Sequence, residues 1–247
     1  ARRGFATDGA WAFVGPSGPH VIHQAARAFA RHHGALEPFS VDFDPRWARA
    51  QASGSLGARL YRDHVVAQAV DVLCREDVRV LFSTPPVLLA LSERLDPARR
   101  QAVGSIHVGG MPLDVAARAA LKDAFPHAVL LPAYGNALLG IAPELDVPGD
   151  RVARYAVPRG RLRMRVVEDR RDSAFDTDDL RRDVAPGARG RVVVDRVDRT
   201  FLLVNLVERD VAATRHVAPC ADAAAWSTTR IVAPGPAPSA PVEGGLY

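Results

Sequence analysis

The chain has 247 residues, 48% of them apolar, so it can bury a full core as one large domain or as a domain with an appendage. Its formal excess of +4 comes almost wholly from arginine, with Lys122 the single lysine. The arginines are interleaved with acids, as in Glu168-Asp-Arg-Arg-Asp172, which argues for a solvated mixed-charge surface and against a nucleic-acid footprint.

No apolar run reaches membrane-spanning length, and Ala1-Arg-Arg-Gly4 lacks the apolar segment of a secretory signal. Cys74 and Cys220 are far apart and have no metal-ligand spacing, so a reduced, cytoplasmic setting with no membrane association is expected. The chain does not begin with Met, so a processed, trimmed or partial chain is expected.

Strand-like and helix-like runs alternate up to about Gly140. Pro19 to His33 carries Val21, Ile22, Ala25, Ala26, Phe29 and Ala30 on one helical stripe, with Gly34 as the stop. Phe39 to Phe43 is a short strand, after which Asp44-Pro45 caps a helix through Trp47. Tyr61 to Arg75 is an amphipathic helix, and Val78 to Phe82 a strand. Ser83-Thr-Pro-Pro86 then starts a helix over Val87 to Leu95, and Asp96-Pro97 opens another. Ile106–Val108 is a strand, 112–125 a helix and 128–131 the next strand. Strands separated by helices of this length predict right-handed crossovers, hence an α/β fold with a mostly parallel sheet and flanking helices.

Beyond Gly140 the pattern changes to a small antiparallel β region. Residues 161–167 and 191–195 alternate at period two, and Val197-Asp-Arg199 turns into Thr200 to Val204 as a hairpin. Residues 169–186 are charge-dense and read as an exposed excursion. The run from Ala233 to Pro241 is too rich in proline for a ladder or helix. The expected organisation is therefore an α/β part over 1–145, a β-rich subdomain over 146–232 and a Pro/Gly-rich tail over 233–247.

Two predicted strand ends carry the chemical signal. Ser105-Ile-His-Val-Gly-Gly110 turns at a glycine pair, and Leu130-Leu-Pro-Ala-Tyr-Gly135 ends at an aromatic-glycine step. Ligands of open α/β sheets bind at such carboxyl ends, where backbone approaches closely and a ring can stack on a base. Taken in order, Thr84-Pro-Pro-Val-Leu-Leu-Ala-Leu91, Gly109-Gly110 with Pro112-Leu113, Tyr134-Gly135, Gly190-Arg-Val-Val-Val194 and Glu208-Arg-Asp210 resemble the adenylate-forming superfamily. The phenylacetate-CoA-ligase-like and acyl-protein-synthetase-like branches, including adenylating proteins of phenazine-type antibiotic biosynthesis, are the most similar in pattern.

The resemblance implies a ligase that activates a carboxylic acid, an aryl or secondary-metabolite acid, with ATP to give an acyl-adenylate. It implies ATP/AMP and Mg2+ as cofactors and coenzyme A or an acyl-carrier protein as acceptor. Carried over residue by residue, the nucleotide contacts would be Gly109, Gly110, Tyr134 (stacked on adenine), Gly135, Asn136 and Asp210 (accepting from the ribose hydroxyls). The acyl contacts would be His20, Gly109 and Gly140.

The sequence also departs from the family pattern. The Ser/Thr/Gly-rich phosphate loop has no counterpart, Ala137 and Leu138 replace a threonine and the magnesium-holding glutamate, and Arg209 replaces a glycine. The C-terminal domain with its catalytic lysine is not recognisable, so no catalytic residue is assigned. These departures keep two alternatives open: a relative that binds nucleotide or acyl group without turnover, and a partner-binding module with an arginine-rich surface.

Each assignment also has a plainer reading, with Gly109-Gly110 as a tight turn, Tyr134 as a core aromatic and Asp210 as a solvated turn residue. His20, His23, His32 and His33 show no metal motif, and Ser17 lacks the G-x-S-x-G context of a hydrolase nucleophile.

Overall fold

In the computed structural model, residues 4–44, 47, 50, 51, 54–144, 152–169, 177–199, 201–217 and 225–236 are described. They fall into two compact units, with the break between Pro132 and Ala133. The change in sequence pattern comes later, at about Gly140.

The first unit is a parallel sheet with helices on both faces. Its strands are β1 (Ala10–Gly15), β2 (Phe39–Asp42), β3 (Val78–Ser83), β4 (Ser105–Val108) and the first half of β5 (Val129–Asn136), in the order β2-β1-β3-β4-β5. Its helices are α1 (Val21–His32), α2 (Leu56–Arg75), α3 (Pro85–Arg94), α4 (Pro97–Ala102) and α5 (Val115–Ala124). Strands buried on both faces read as continuous apolar runs, and β1 and β3 show why. Trp11, Phe13, Val80 and Phe82 point to one side with Ala26 and Ala30 of α1, while Val14, Leu81 and Ile106 point to the other with Val65, Leu88, Leu91 and Leu121.

The helix boundaries follow from capping. Ser55, Asp96 and Asp114 accept from the amides of Ala58, Arg99 and Ala117, opening α2, α4 and α5. At the far end of α2, the Arg99 guanidinium donates to the carbonyls of Cys74 and Glu76, supplying donors to carbonyls that the helix leaves open. No helix of the described residues is long and apolar enough to cross a membrane.

The second unit is antiparallel. The end of β5 pairs with β6 (Gly140–Pro143) through Tyr134 opposite Ala142 and Asn136 opposite Gly140. A five-stranded sheet has the order β7-β11-β10-β9-β8, formed by β7 (Arg154–Pro158), β8 (Leu162–Val167), β9 (Arg189–Val197), β10 (Leu202–His216) and β11 (Trp226–Pro236). Its core holds Leu139, Ala142, Tyr155, Met164, Val192, Val194 and Ile231.

Two sequence expectations are corrected here. The proline-rich run joins the ladder: Val211 pairs with Gly235 and Asp210 with Pro236. Beyond Val232 no further pairing of β11 with β7 is present among the described residues, so a missing proline N–H on that flank costs no ladder bond. Within the charge-dense segment, Asp179 is buried in a short 3-10 turn beside Arg182, so that stretch is not wholly exposed. Of the helix expected just after Asp44, Trp47 is helical and its amide donates to the Asp44 carboxylate at 3.4 Å; residues 45 and 46, part of residues 169–186, Cys220 and most of the 233–247 tail lie outside the described residues.

Candidate functional site

The carboxyl ends of the parallel strands hold the first set of expected contacts. β3 and β4 run in register, with Phe82 opposite His107 and Ser83 opposite Val108, and the Gly109 amide donates to the Ser83 carbonyl at 3.2 Å. Gly109 is buried, and a Cβ there would come within 2.6 Å of the Ile22 side chain on α1. Gly110 follows with a φ of +78°, a turn conformation that favours glycine. His20 is the half-buried residue preceding α1; its side chain does not cap the helix, whose first turn has no acidic residue.

The start of α3 is a poor anion site. Pro85 and Pro86 occupy its first positions and remove amide donors that would face an anion.

His107 carries no assignment in the family pattern and is the most unusual group of this unit. It is fully buried, its ring stacks on Phe82 at 4.8 Å, and neither ring nitrogen has a hydrogen-bond partner among the described residues. Burial pushes its pKa down to about 4, so the ring is neutral at physiological pH.

The second set lies at the β5–β6 hairpin and in β10, within the second unit. Between Val207 and Val211 the pairing of β10 with β9 slips, so residues 208–210 bulge out of the ladder. Arg191 holds this bulge from below: its guanidinium donates to the Glu208 carbonyl at 3.5 Å and pairs with the Asp169 carboxylate at 2.9 Å. Glu208 and Asp210 are half-buried, with exposed Arg209 between them.

Asn136 faces this bulge. Its amide nitrogen donates to a carboxylate oxygen of Glu208 at 3.2 Å, and its amide oxygen accepts from the Leu138 and Leu139 amides at 2.9 and 3.0 Å. Three side-chain hydrogen bonds are therefore already made, and the residue closes the hairpin turn. Replacing Asn136 by alanine is expected to cost about 1–3 kcal/mol of stability. Chemical denaturation checks this, and a midpoint unchanged from the parent would contradict it.

Tyr134 is half-buried, with its ring 5.8 Å from that of Tyr155 and tilted by 47°. Its hydroxyl is buried and faces the Asp210 carboxylate, though the pair does not meet the alignment of a formed hydrogen bond. Burial first, then Asp210, Glu208 and Tyr155, raise the tyrosine pKa far above its ordinary value, so the phenol stays protonated. The end of β5 thus brings Tyr134 and Asn136 to Asp210 and Glu208, some seventy positions away in the chain and in the middle of β10 rather than at the strand end expected for Asp210. Glu208 had no expected role of its own; its place in the Glu208-Arg-Asp210 motif is the sequence signal it left.

Gly135 and Gly140 are required by the hairpin itself. A Cβ on Gly135, whose φ is +153°, would lie 1.9 Å from the Gly140 carbonyl oxygen, and Gly140 has a φ of +80°. Their glycine identity is explained by this close approach without any ligand.

The magnesium expected from the resemblance is not matched by the donor set. Exposed Leu138 stands where a carboxylate would be needed, and among the described residues no group of three or more His, Cys, Asp or Glu comes together. His23 is engaged with the Gly18 carbonyl and the Ser40 hydroxyl, both at 3.2 Å, rather than with other histidines.

No family model matches the sequence, and a search of curated proteins gives no match. Solved structures do match. A 2-hydroxyisobutyryl-CoA ligase, seen in an open conformation with 2-HIB-AMP and CoA, superposes with a TM-score of 0.59 at 16% identity, covering 91% of this chain and 47% of that one. An ATP-bound RpMatB-BxBclM chimera gives 0.51 at 16% identity, covering 85% of this chain and 38% of the other. CmiS6 gives 0.50 at 14% identity, over 93% of this chain and 53% of the other. The chain thus spans about half the length, or less, of the structures it matches. What it has in common with these proteins, one of them a CoA ligase captured with 2-HIB-AMP and CoA and another a chimera captured with ATP, is the fold.

Proposed function

We propose that this chain supplies the adenine-, ribose- and acyl-binding portion of an adenylate-forming acid ligase. In that reaction a carboxylate oxygen attacks the α-phosphorus of ATP, a P–O bond to pyrophosphate breaks, and an acyl-adenylate forms. The observation that carries the reading is the juxtaposition of Tyr134 with Asp210 in the second unit. A half-buried ring suits an adenine face, and a neighbouring carboxylate suits a vicinal diol. The ligase fold and the acyl-AMP and ATP seen in two of the matching structures support it.

Each residue's part is binding and orientation. Tyr134 stacks on the base and Asp210 accepts from the ribose hydroxyls, while Gly135 lets backbone lie against the nucleotide. Within the first unit, Gly109 and Gly110 are taken as nucleotide contacts and His20 with Gly109 as acyl contacts, as the resemblance implies. Holding the carboxylate in line with the α-phosphorus supplies the rate advantage of an intramolecular reaction. No step is assigned to magnesium, because the residues at its expected position do not fit it. The acid is of aryl or secondary-metabolite type, as used in antibiotic assembly, and the acceptor is coenzyme A or a carrier protein.

Ala137 and Leu138 favour one second reading, a relative that binds nucleotide without turning it over. The full-length protein is expected to catalyse carboxylate-dependent exchange of pyrophosphate into ATP. AMP binding without exchange, over a broad panel of acids, would select the second reading, and absence of both would reject the two together.

A further inference from the structure

We infer that the Tyr134 hydroxyl is a positioning group for Asp210, fixing the carboxylate so that its free lone pairs meet a vicinal diol. This deepens the nucleotide reading above and rests on it. A stacking residue needs only its ring, and phenylalanine would serve; the hydroxyl is what requires a reason.

Three features of the second unit supply it. First, the hydroxyl is buried and has no other formed hydrogen bond, so it is neither a solvated tip nor part of a completed network. Buried polar groups left unmatched cost stability, and their retention calls for an explanation. Second, Asp210 lies where β10 slips against β9, while its backbone is held on the other side by pairing with Pro236 of β11, so what is left to a neighbour is the direction of its carboxylate.

Third, the neighbouring carboxylate already has such a hold, since Asn136 of the same strand end donates to Glu208 at 3.2 Å. Tyr134 and Asn136, two residues apart on β5, thus address Asp210 and Glu208, two residues apart on β10. Glu208 receives one neutral donor, and the Tyr134 hydroxyl is the neighbour that would supply one to Asp210, offsetting repulsion between the pair. With the phenol held protonated, it can only donate toward an ionised carboxylate. Incomplete alignment in the free protein is ordinary for a contact that tightens when ligand arrives.

The test is calorimetric titration of the full chain with AMP and with 2′,3′-dideoxy-AMP. Tyr134→Phe keeps the ring, and removing a hydroxyl without a formed hydrogen bond leaves the fold intact. This variant is expected to lose about tenfold in AMP affinity, the worth of one charge-assisted hydrogen bond, while dideoxy-AMP binds as to the parent. Asp210→Glu keeps the charge but displaces it, and is expected to show the same selective loss independently. In Tyr134→Phe/Asp210→Glu the two losses should not add.

Equal losses on both nucleotides would mark a merely structural role and overturn the proposal, as would unaltered AMP affinity in either single variant. If the parent chain bound no AMP, the nucleotide reading would fail and this inference with it. If the parent preferred AMP to its dideoxy analogue and Tyr134→Phe kept that preference, only the positioning role would fall.

Discussion

Gly135→Ala is expected to destabilise the second unit by more than about 3 kcal/mol, lowering its thermal midpoint by about 10–20 °C. The added Cβ would sit 1.9 Å from the Gly140 carbonyl oxygen, far inside van der Waals contact, and the clashing atom is backbone rather than the end of a flexible side chain. The two strands of the β5–β6 hairpin would have to part, breaking the pairs of Gly135 with Ile141 and Asn136 with Gly140. The bond from Asn136 to Glu208 would be strained with them. Gly187→Ala is the control: Gly187 also has a positive φ, +90°, but open space around it, so the change is expected to cost only about 1 kcal/mol. Thermal melts followed by circular dichroism separate the two, and equal midpoints would contradict the account. A structural requirement of this size means that activity lost in a Gly135 variant would say nothing about nucleotide contact.

The second large effect is on acid stability. His107 is neutral in the folded chain because burial pushes its pKa from 6.5 down to about 4. The unfolded chain takes up a proton at its ordinary pKa while the folded chain does not. Stability is therefore unaffected by this group above pH 6.5, falls as pH drops from 6.5 to about 4, and levels off below. A gap of about two and a half units corresponds to about 3 kcal/mol in total. His107→Phe is expected to remove that slope. It should also raise stability near neutral pH by about 1–3 kcal/mol, since two unmatched buried nitrogens disappear and the new ring can keep the stack on Phe82. Urea unfolding at pH 7 and pH 4.5 measures both effects. If parent and variant lost stability in parallel between these values, His107 would not be the sensing group.

The parallel half was legible because strands buried on both faces and helices buried on one leave different apolar periods. Val78 to Phe82 and the stripe on α2 reported themselves in that way. β1 went unread: Ala10-Trp-Ala-Phe-Val-Gly15 is short and has no polar alternation, so nothing local separates it from a buried loop.

The antiparallel half was legible only in part. The charged run Glu208-Arg-Asp210 hid the continuity of β10, which extends from Leu202 to His216, and the prolines of β11 disguised a strand whose flank is open where they fall. For the site, Tyr134 and Asp210 were nameable as residue types at strand ends. The Asn136 bonds and the place of Glu208 were not, because they arise from side chains meeting across some seventy residues. The glycines illustrate the converse: a pattern that suggests ligand contact can have a sufficient cause in the backbone, as Gly135 and Gly140 do.

A crystal structure of the chain with AMP tests the central claim most directly. The account predicts adenine lying against the Tyr134 ring with the ribose hydroxyls donating to Asp210. AMP bound elsewhere, or a ribose turned away from the β10 bulge, would contradict it.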